Sequence, residues 1–184
     1  RSPSSAVIGR MNDDNDPAAS PVRVWDLPTR VFHWLLAATV IASVITAKIG
    51  GNAMTWHIRL GLLALALLAF RVVWGFVGGH WSRFASFLYS PSSVGAYLRG
   101  DSGPNGRFDV GHSPLGALSV FALLLLLIVQ VATGLVADDE IATTGPLNRF
   151  VATALALKAT GWHKAVGQYL IITLVVLHIA TVLF

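Results

Sequence analysis

Four long apolar runs, at about Val31–Ile49, Trp56–Val77, Leu115–Ala137 and Val166–Phe184, dominate this chain. Each is near the roughly 20 residues with which a helix crosses a bilayer core of about 30 Å. Composition agrees: 54% of the 184 residues are hydrophobic, 12% are charged and the mean hydropathy is +0.66, far from the soluble average. The expected fold is an all-α integral membrane protein, a four-helix transmembrane bundle with short interfacial helices, over residues 22–184. Residues 1–21, rich in Ser, Asp, Asn and Pro, read as a disordered tail in which Met11 is a candidate start. The competing reading of the first run is a cleaved signal peptide ending near Ile45-Thr46-Ala47. That run is longer than an ordinary signal core and opens with Phe32-His33-Trp34.

The charge pattern supports membrane topology rather than nucleic acid binding. The net charge is +4 and the pI about 10, but the basic residues mostly flank the apolar runs. Arg23, Arg30, Arg71, Arg83, Arg99 and Arg107 gather on one side, and Lys48, Arg59, Arg149, Lys158 and Lys164 on the other. This thin excess, with Arg1 and Arg10 beyond it, favours both termini in the cytoplasm of a bacterium. The polar stretch between the second and third runs mixes arginines with Trp81, Phe84, Phe87, Tyr89 and Tyr97, the signature of interfacial segments. Residues 146–158 carry Leu147, Phe150, Val151, Ala154 and Leu155 at helical spacing. They predict a short helix lying on the periplasmic surface, a place for a partner to dock.

With no cysteine in the chain, disulfides, iron–sulfur clusters and covalent C-x-x-C-H haem attachment are excluded. Any metal falls to nitrogen and oxygen ligands, and six histidines are present. His163 and His178, fifteen residues apart on the last run, are separated by about 22 Å of rise and about 60° of rotation on an α-helix. By depth His178 matches His33 at the cytoplasmic end, and His163 matches His57 at the periplasmic end. Two bis-histidine pairs, one per leaflet, suit two non-covalent haem b groups with no open axial position.

Each histidine has a plainer reading as an interfacial or hydrogen-bonded residue, but the matched depths and the apolar setting of His178 favour ligation. His80 reads as a loop residue. His112, just before the third run, is a candidate for a helix cap, a propionate contact or a quinone site. Arg30, three residues before His33, and Arg71, fourteen after His57, are placed to meet the propionates of the cytoplasmic haem, with snorkelling to lipid phosphate as the alternative. Arg59 points elsewhere and reads as a lipid contact. Two other classes stay open: a haem-free membrane anchor that tethers a catalytic partner, and a histidine-based transporter. The transporter is disfavoured by the lack of acidic residues within the runs.

Several stretches carry a resemblance: Val24-Trp25-Asp26-Leu27-Pro28-Thr29-Arg30-Val31-Phe32-His33-Trp34, Trp56-His57, Phe70-Arg71-Val72-Val73-Trp74-Gly75-Phe76-Val77-Gly78, Gly111-His112-Ser113-Pro114-Leu115-Gly116, and the His163 and His178 pair. Over about residues 22–184 the chain resembles the bacterial cytochrome b561 family, which includes the b-type cytochrome subunits of nickel-iron hydrogenases. The resemblance implies that His33, His57, His163 and His178 ligate two haems b. It also implies electron transfer between the quinone pool and a periplasmic redox partner, such as a cytochrome c or a dehydrogenase or hydrogenase subunit, across the bacterial inner membrane.

Overall fold

The computed structural model describes residues 26–99 and 114–183. The tail at 1–21, Arg23, Arg107, His112 and Phe184 lie outside them. Helix α1 (Leu27–Ile49) starts where Asp26 caps it: the carboxylate accepts from the Thr29 N–H at 2.9 Å, and Pro28 sits in the first turn, where no helical donor is needed. It ends at Gly50, whose φ of 69° is followed by 53° at Gly51. These left-handed values turn the chain at once into α2 (Met54–Val77).

Two 3-10 turns and the short helix α3 (Pro91–Leu98), capped by Ser90, follow. Next come α4 (Pro114–Val136), an ordered turn and α5 (Thr153–Gly161). A π-helical stretch, Trp162–Gly167, then continues directly into α6 (Gln168–Leu183).

Four helices are long and apolar enough to span a bilayer, and the last of them covers Thr153–Ala180. The separate surface helix expected over 146–158 is therefore not formed. Only the 3-10 turn Asn148–Phe150 stands apart, and from Thr153 the chain is already in the fourth span. The cause is packing: Ala156 and Ala159 are buried where α5 lies along α4, so this segment's small residues serve a helix contact rather than a lipid surface.

Neighbouring spans pack in sequence order, α1 on α2, α2 on α4, and α4 on α5 and α6. Phe32, Leu36, Ala64, Leu68, Leu124, Leu127 and Ile171 form the shared core. Most other large apolar side chains, including Ile45, Val73, Phe76, Leu125 and Val176, face outward, as a lipid solvent allows. Among the described residues, neither α1 nor α2 packs extensively against α6.

Polar groups tie off both ends of the bundle. At the Asp26 end, Trp74 Nε1 donates to the Asp26 carboxylate (3.1 Å), and the Thr29 and Ser82 hydroxyls lie 2.9 Å apart. Buried Arg71 donates to the Ser82 carbonyl (3.0 Å) and stacks 4.7 Å from the Phe84 ring centre, and that ring presses on Gly75. Partial burial raises the Asp26 pKa, but hydrogen bonds from Thr29, Ser82 and Trp74 outweigh it and hold the carboxyl below its ordinary value.

At the opposite end, the turn over residues 137–151 is pinned to the helices. Thr160 Oγ1 accepts from the Asp138 N–H (2.8 Å), Asn148 donates to the Val136 carbonyl (3.0 Å), and Gly145 is wedged against the carbonyls of Gly134 and Leu135. Within it the Asp139 carboxylate accepts from the N–H groups of Ile141, Ala142 and Thr143. Backbone donation from Thr143, Ile141 and Ala142 lowers its pKa to about 2.

A carboxyl depressed in the folded state contributes order above its unfolded value of about 4, and that contribution is lost as the pH falls through the folded value. Hydrogen exchange should show residues 141–143 protected at neutral pH and released as the pH approaches about 2. Asp139→Ala should release the same amides at every pH; unchanged protection in that variant would contradict the assignment.

Candidate haem-ligand pairs

Four histidines from three spans fall into two groups, one at each end of the bundle. At the Gly50 end, His57 at the start of α2 and His163 in the π stretch bring their ring centres to 5.9 Å, nearly perpendicular. At the Asp26 end, His33 of α1 and His178 of α6 are electrostatic neighbours. All four are partly buried. The His33 and His178 pair links α1 with α6, and the His57 and His163 pair links α2 with the π stretch that precedes α6. Among the described residues no three histidine or acidic side chains converge on one point, so each place offers two imidazoles rather than a tetrahedral cage.

Hydrogen bonds orient three of the four rings. His57 Nδ1 lies 2.9 Å from the Ser43 carbonyl and His163 Nδ1 lies 2.8 Å from the Gln130 carbonyl. A carbonyl only accepts, so both Nδ1 atoms carry the proton and both Nε2 atoms keep a free lone pair. His178 Nδ1 sits 3.1 Å from Ser119 Oγ, and that hydroxyl is 2.8 Å from the Gly116 carbonyl, to which it must donate. With its one proton spent, Ser119 accepts from His178, so the His178 Nδ1 carries the proton. Outer-shell bonds of this kind fix the tautomer of metal-binding histidines.

This donor set fits haem. Two imidazoles that ligate one metal from opposite sides through bonds of ~2 Å have ring centres about 6 Å apart, and the His57 and His163 rings stand at 5.9 Å. Space is also reserved: a Cβ added at Gly134 in α4 would come within 2.8 Å of the His163 ring, so the glycine admits the imidazole at close range.

The π stretch is the feature the sequence concealed. It places about one extra residue in the turn, so His163 and His178 are separated by about fourteen α-helical steps instead of fifteen, and their offset changes from about 60° on one side to about 40° on the other. Its only visible signals are the bracketing Gly161 and Gly167.

The arginines divide. Arg71 is buried near the Asp26 end, with one guanidinium nitrogen on Ser82. Arg30 is exposed on α1, lining an outer groove with Val31 and Trp34. Arg59 stacks on Trp56 at 5.0 Å, and His80 lies exposed beside Trp81, neither of them among the histidine pairs.

Comparison with known proteins identifies the family. The family described as prokaryotic cytochrome b561 matches residues 24–184. The probable Ni/Fe-hydrogenase 1 B-type cytochrome subunit of Escherichia coli (strain K12) is 23% identical over 191 residues, covering 85% of this chain and 80% of that protein. The protein of the same name from Escherichia coli O157:H7 gives the same figures. No solved structure matches. Because the family match extends from residue 24 to the last residue and takes in all four spans, the chain belongs to the prokaryotic cytochrome b561 family, a multi-pass membrane cytochrome of the haem b type that works in electron transfer.

Proposed function

We propose that this cytochrome holds two haem b groups, one between His57 and His163 and the other between His33 and His178, and passes electrons between a periplasmic redox protein and the membrane quinone pool. The observation that carries the proposal is the close approach of the His57 and His163 rings, each with Nδ1 bonded to a main-chain carbonyl, with His33 and His178 as electrostatic neighbours at the opposite end of the bundle. Haem b supplies a one-electron couple that side chains lack. The chain would contribute two imidazoles to each haem, His57 with His163 and His33 with His178, so that neither iron would offer a position to oxygen or substrate. It also contributes an apolar surround that keeps water away, and cations for the propionates. Arg30 and Arg71 would serve that last need at the His33 and His178 end.

With both termini in the cytoplasm of a bacterial inner membrane, the Asp26 end is cytoplasmic and the turn over 137–151 is periplasmic. That turn, with exposed Arg149, Phe150 and Ile141 and with Lys158 beyond it, is the docking face for a redox partner. A relative named as a hydrogenase cytochrome subunit supports a hydrogenase or dehydrogenase subunit as that partner, with a cytochrome c as another candidate. For quinone the proposal is a pocket at the cytoplasmic end, close to Arg71 or to His112, of which His112 lies outside the described residues. A groove of about 390 Å³ between α1 and α2, lined by Leu27, Val31, Phe32, Leu67 and Phe70, opens there.

Pyridine haemochrome analysis of detergent-purified protein should give two haems b per chain, with one lost in His33→Ala and one lost in His163→Ala. A wild type without haem, despite ample supply during expression, would leave a membrane anchor as the better reading. Reversing both charges in Arg149→Glu/Lys158→Glu should slow electron transfer from the physiological donor severalfold at low ionic strength while leaving haem content at two. A rate unchanged with every candidate donor would remove the docking face.

A further inference from the structure

The π stretch in the fourth span leaves a backbone question, because a turn of this kind displaces carbonyls from their usual helical donors. Two glutamine side chains answer it. Gln130 of α4 donates Nε2 to the His163 carbonyl at 2.9 Å, and Gln168, with its amide turned to suit its neighbours, donates to the Lys164 carbonyl at 3.2 Å and accepts from Lys48 at 3.1 Å.

Gln130 therefore grips His163 twice: its side chain holds the histidine's main chain, and its main-chain carbonyl accepts from the histidine's Nδ1 at 2.8 Å. The other end of the amide is sterically defined. Gln130 Oε1 and Trp162 Nε1 are both buried without a hydrogen-bond partner, and both face Gly167, where an added Cβ would collide with Gln130 Oε1 and come within 2.9 Å of Trp162 Nε1. Leaving two polar atoms unpaired in an apolar setting is costly. The arrangement persists because the amide's other end has a fixed task.

We propose that Gln130 is the positioning residue of the His57 and His163 site. Through its amide it holds the π turn open at His163, thereby sets the direction of the His163 ring and the strength of its Nδ1 bond, and so tunes the reduction potential of that site alone. The proposal rests on the reading that His57 and His163 hold a haem. Gly167 belongs to the same device, since only a residue without a side chain leaves room for the amide. A histidine whose Nδ1–H is held firmly by an acceptor is a more basic ligand, which favours the oxidised iron. Loosening the grip should raise the potential.

The test is a potentiometric titration of the purified holoprotein with low-temperature EPR of the oxidised form, comparing wild type, Gln130→Met and Gly167→Ala. Methionine keeps the volume and helix propensity of glutamine and removes the amide. Alanine displaces the amide without deleting it. Both variants should keep two haems. In both, the haem that His163→Ala removes should shift upward in potential and in its low-spin g values, while the other haem stays unchanged. An oxidised-to-reduced ratio altered about tenfold at fixed potential corresponds to ~59 mV for one electron.

Unchanged potential and g values for that haem in either variant would overturn the proposal, as would equal shifts in both haems. If Gln130→Met failed to assemble, Gly167→Ala alone would decide between the same two outcomes. If His163→Ala removed no haem, the ligand reading itself would fail, and Gln130 with it.

Discussion

In a hydrocarbon solvent a polar ring has to be satisfied at both nitrogens, and this requirement governs how the bundle is built. Each of His57, His163 and His178 turns Nδ1 to an acceptor on a neighbouring span, which fixes the tautomer and direction of the ring. Because those acceptors come from α1 and α4, the ligand on one helix is aimed by another. The helix order follows: α4 packs along α6 and carries Gly116, Ser119, Gln130 and Gly134 to the two histidines of the fourth span, while α1 and α2 stand off from α6 and reach it through His33 and His57. A bundle that closed α1 and α2 tightly on α6 would bury more apolar surface and lose the two sites.

The two ends of the bundle are closed by different means. At the Asp26 end a carboxylate caps α1, receives an indole and lies near the buried Arg71, so one short network joins α1, α2 and the segment that follows α2. Isolated charge at this depth would be costly, and the Ser82 carbonyl and Phe84 ring give the Arg71 guanidinium its partners. At the far end the connection between α4 and α5 is held by backbone and threonine hydrogen bonds around Asp139, giving a firm exposed turn beside the His57 and His163 pair. A site for electron exchange gains from such rigidity, since little ordering is left to do when a partner arrives.

Much of this was legible in the sequence, and the reason is the length scale. A bilayer imposes a span of fixed thickness, so the four apolar runs and the depths of His33, His57, His163 and His178 can be read by counting residues. The structure sets the His57 and His163 rings side by side and makes His33 and His178 electrostatic neighbours. What counting misses is local. Residues 146–158 have helical spacing wherever they lie, and only the burial of Ala156 and Ala159 on α4 distinguishes a span from a surface helix. The π turn at Trp162–Gly167 depends on Gln130 from another helix, so no window of the fourth span could show it. The acceptors for His57 and His163 are main-chain carbonyls, which every residue possesses. For Arg71, counting shows the depth and offers a propionate or a lipid phosphate as neighbour, but not the bond to Ser82 or the stacking on Phe84.

The central claim is that every iron in this protein is held on both faces by histidine. Carbon monoxide added to the dithionite-reduced, detergent-purified protein tests it directly, because the gas binds ferrous haem only where an axial position is open or easily vacated. The account predicts an absorption spectrum unchanged by the gas, with the sharp bands of six-coordinate low-spin haem. A shift of the main haem band in half or all of the haem would show that one pair, or both, does not close on its iron.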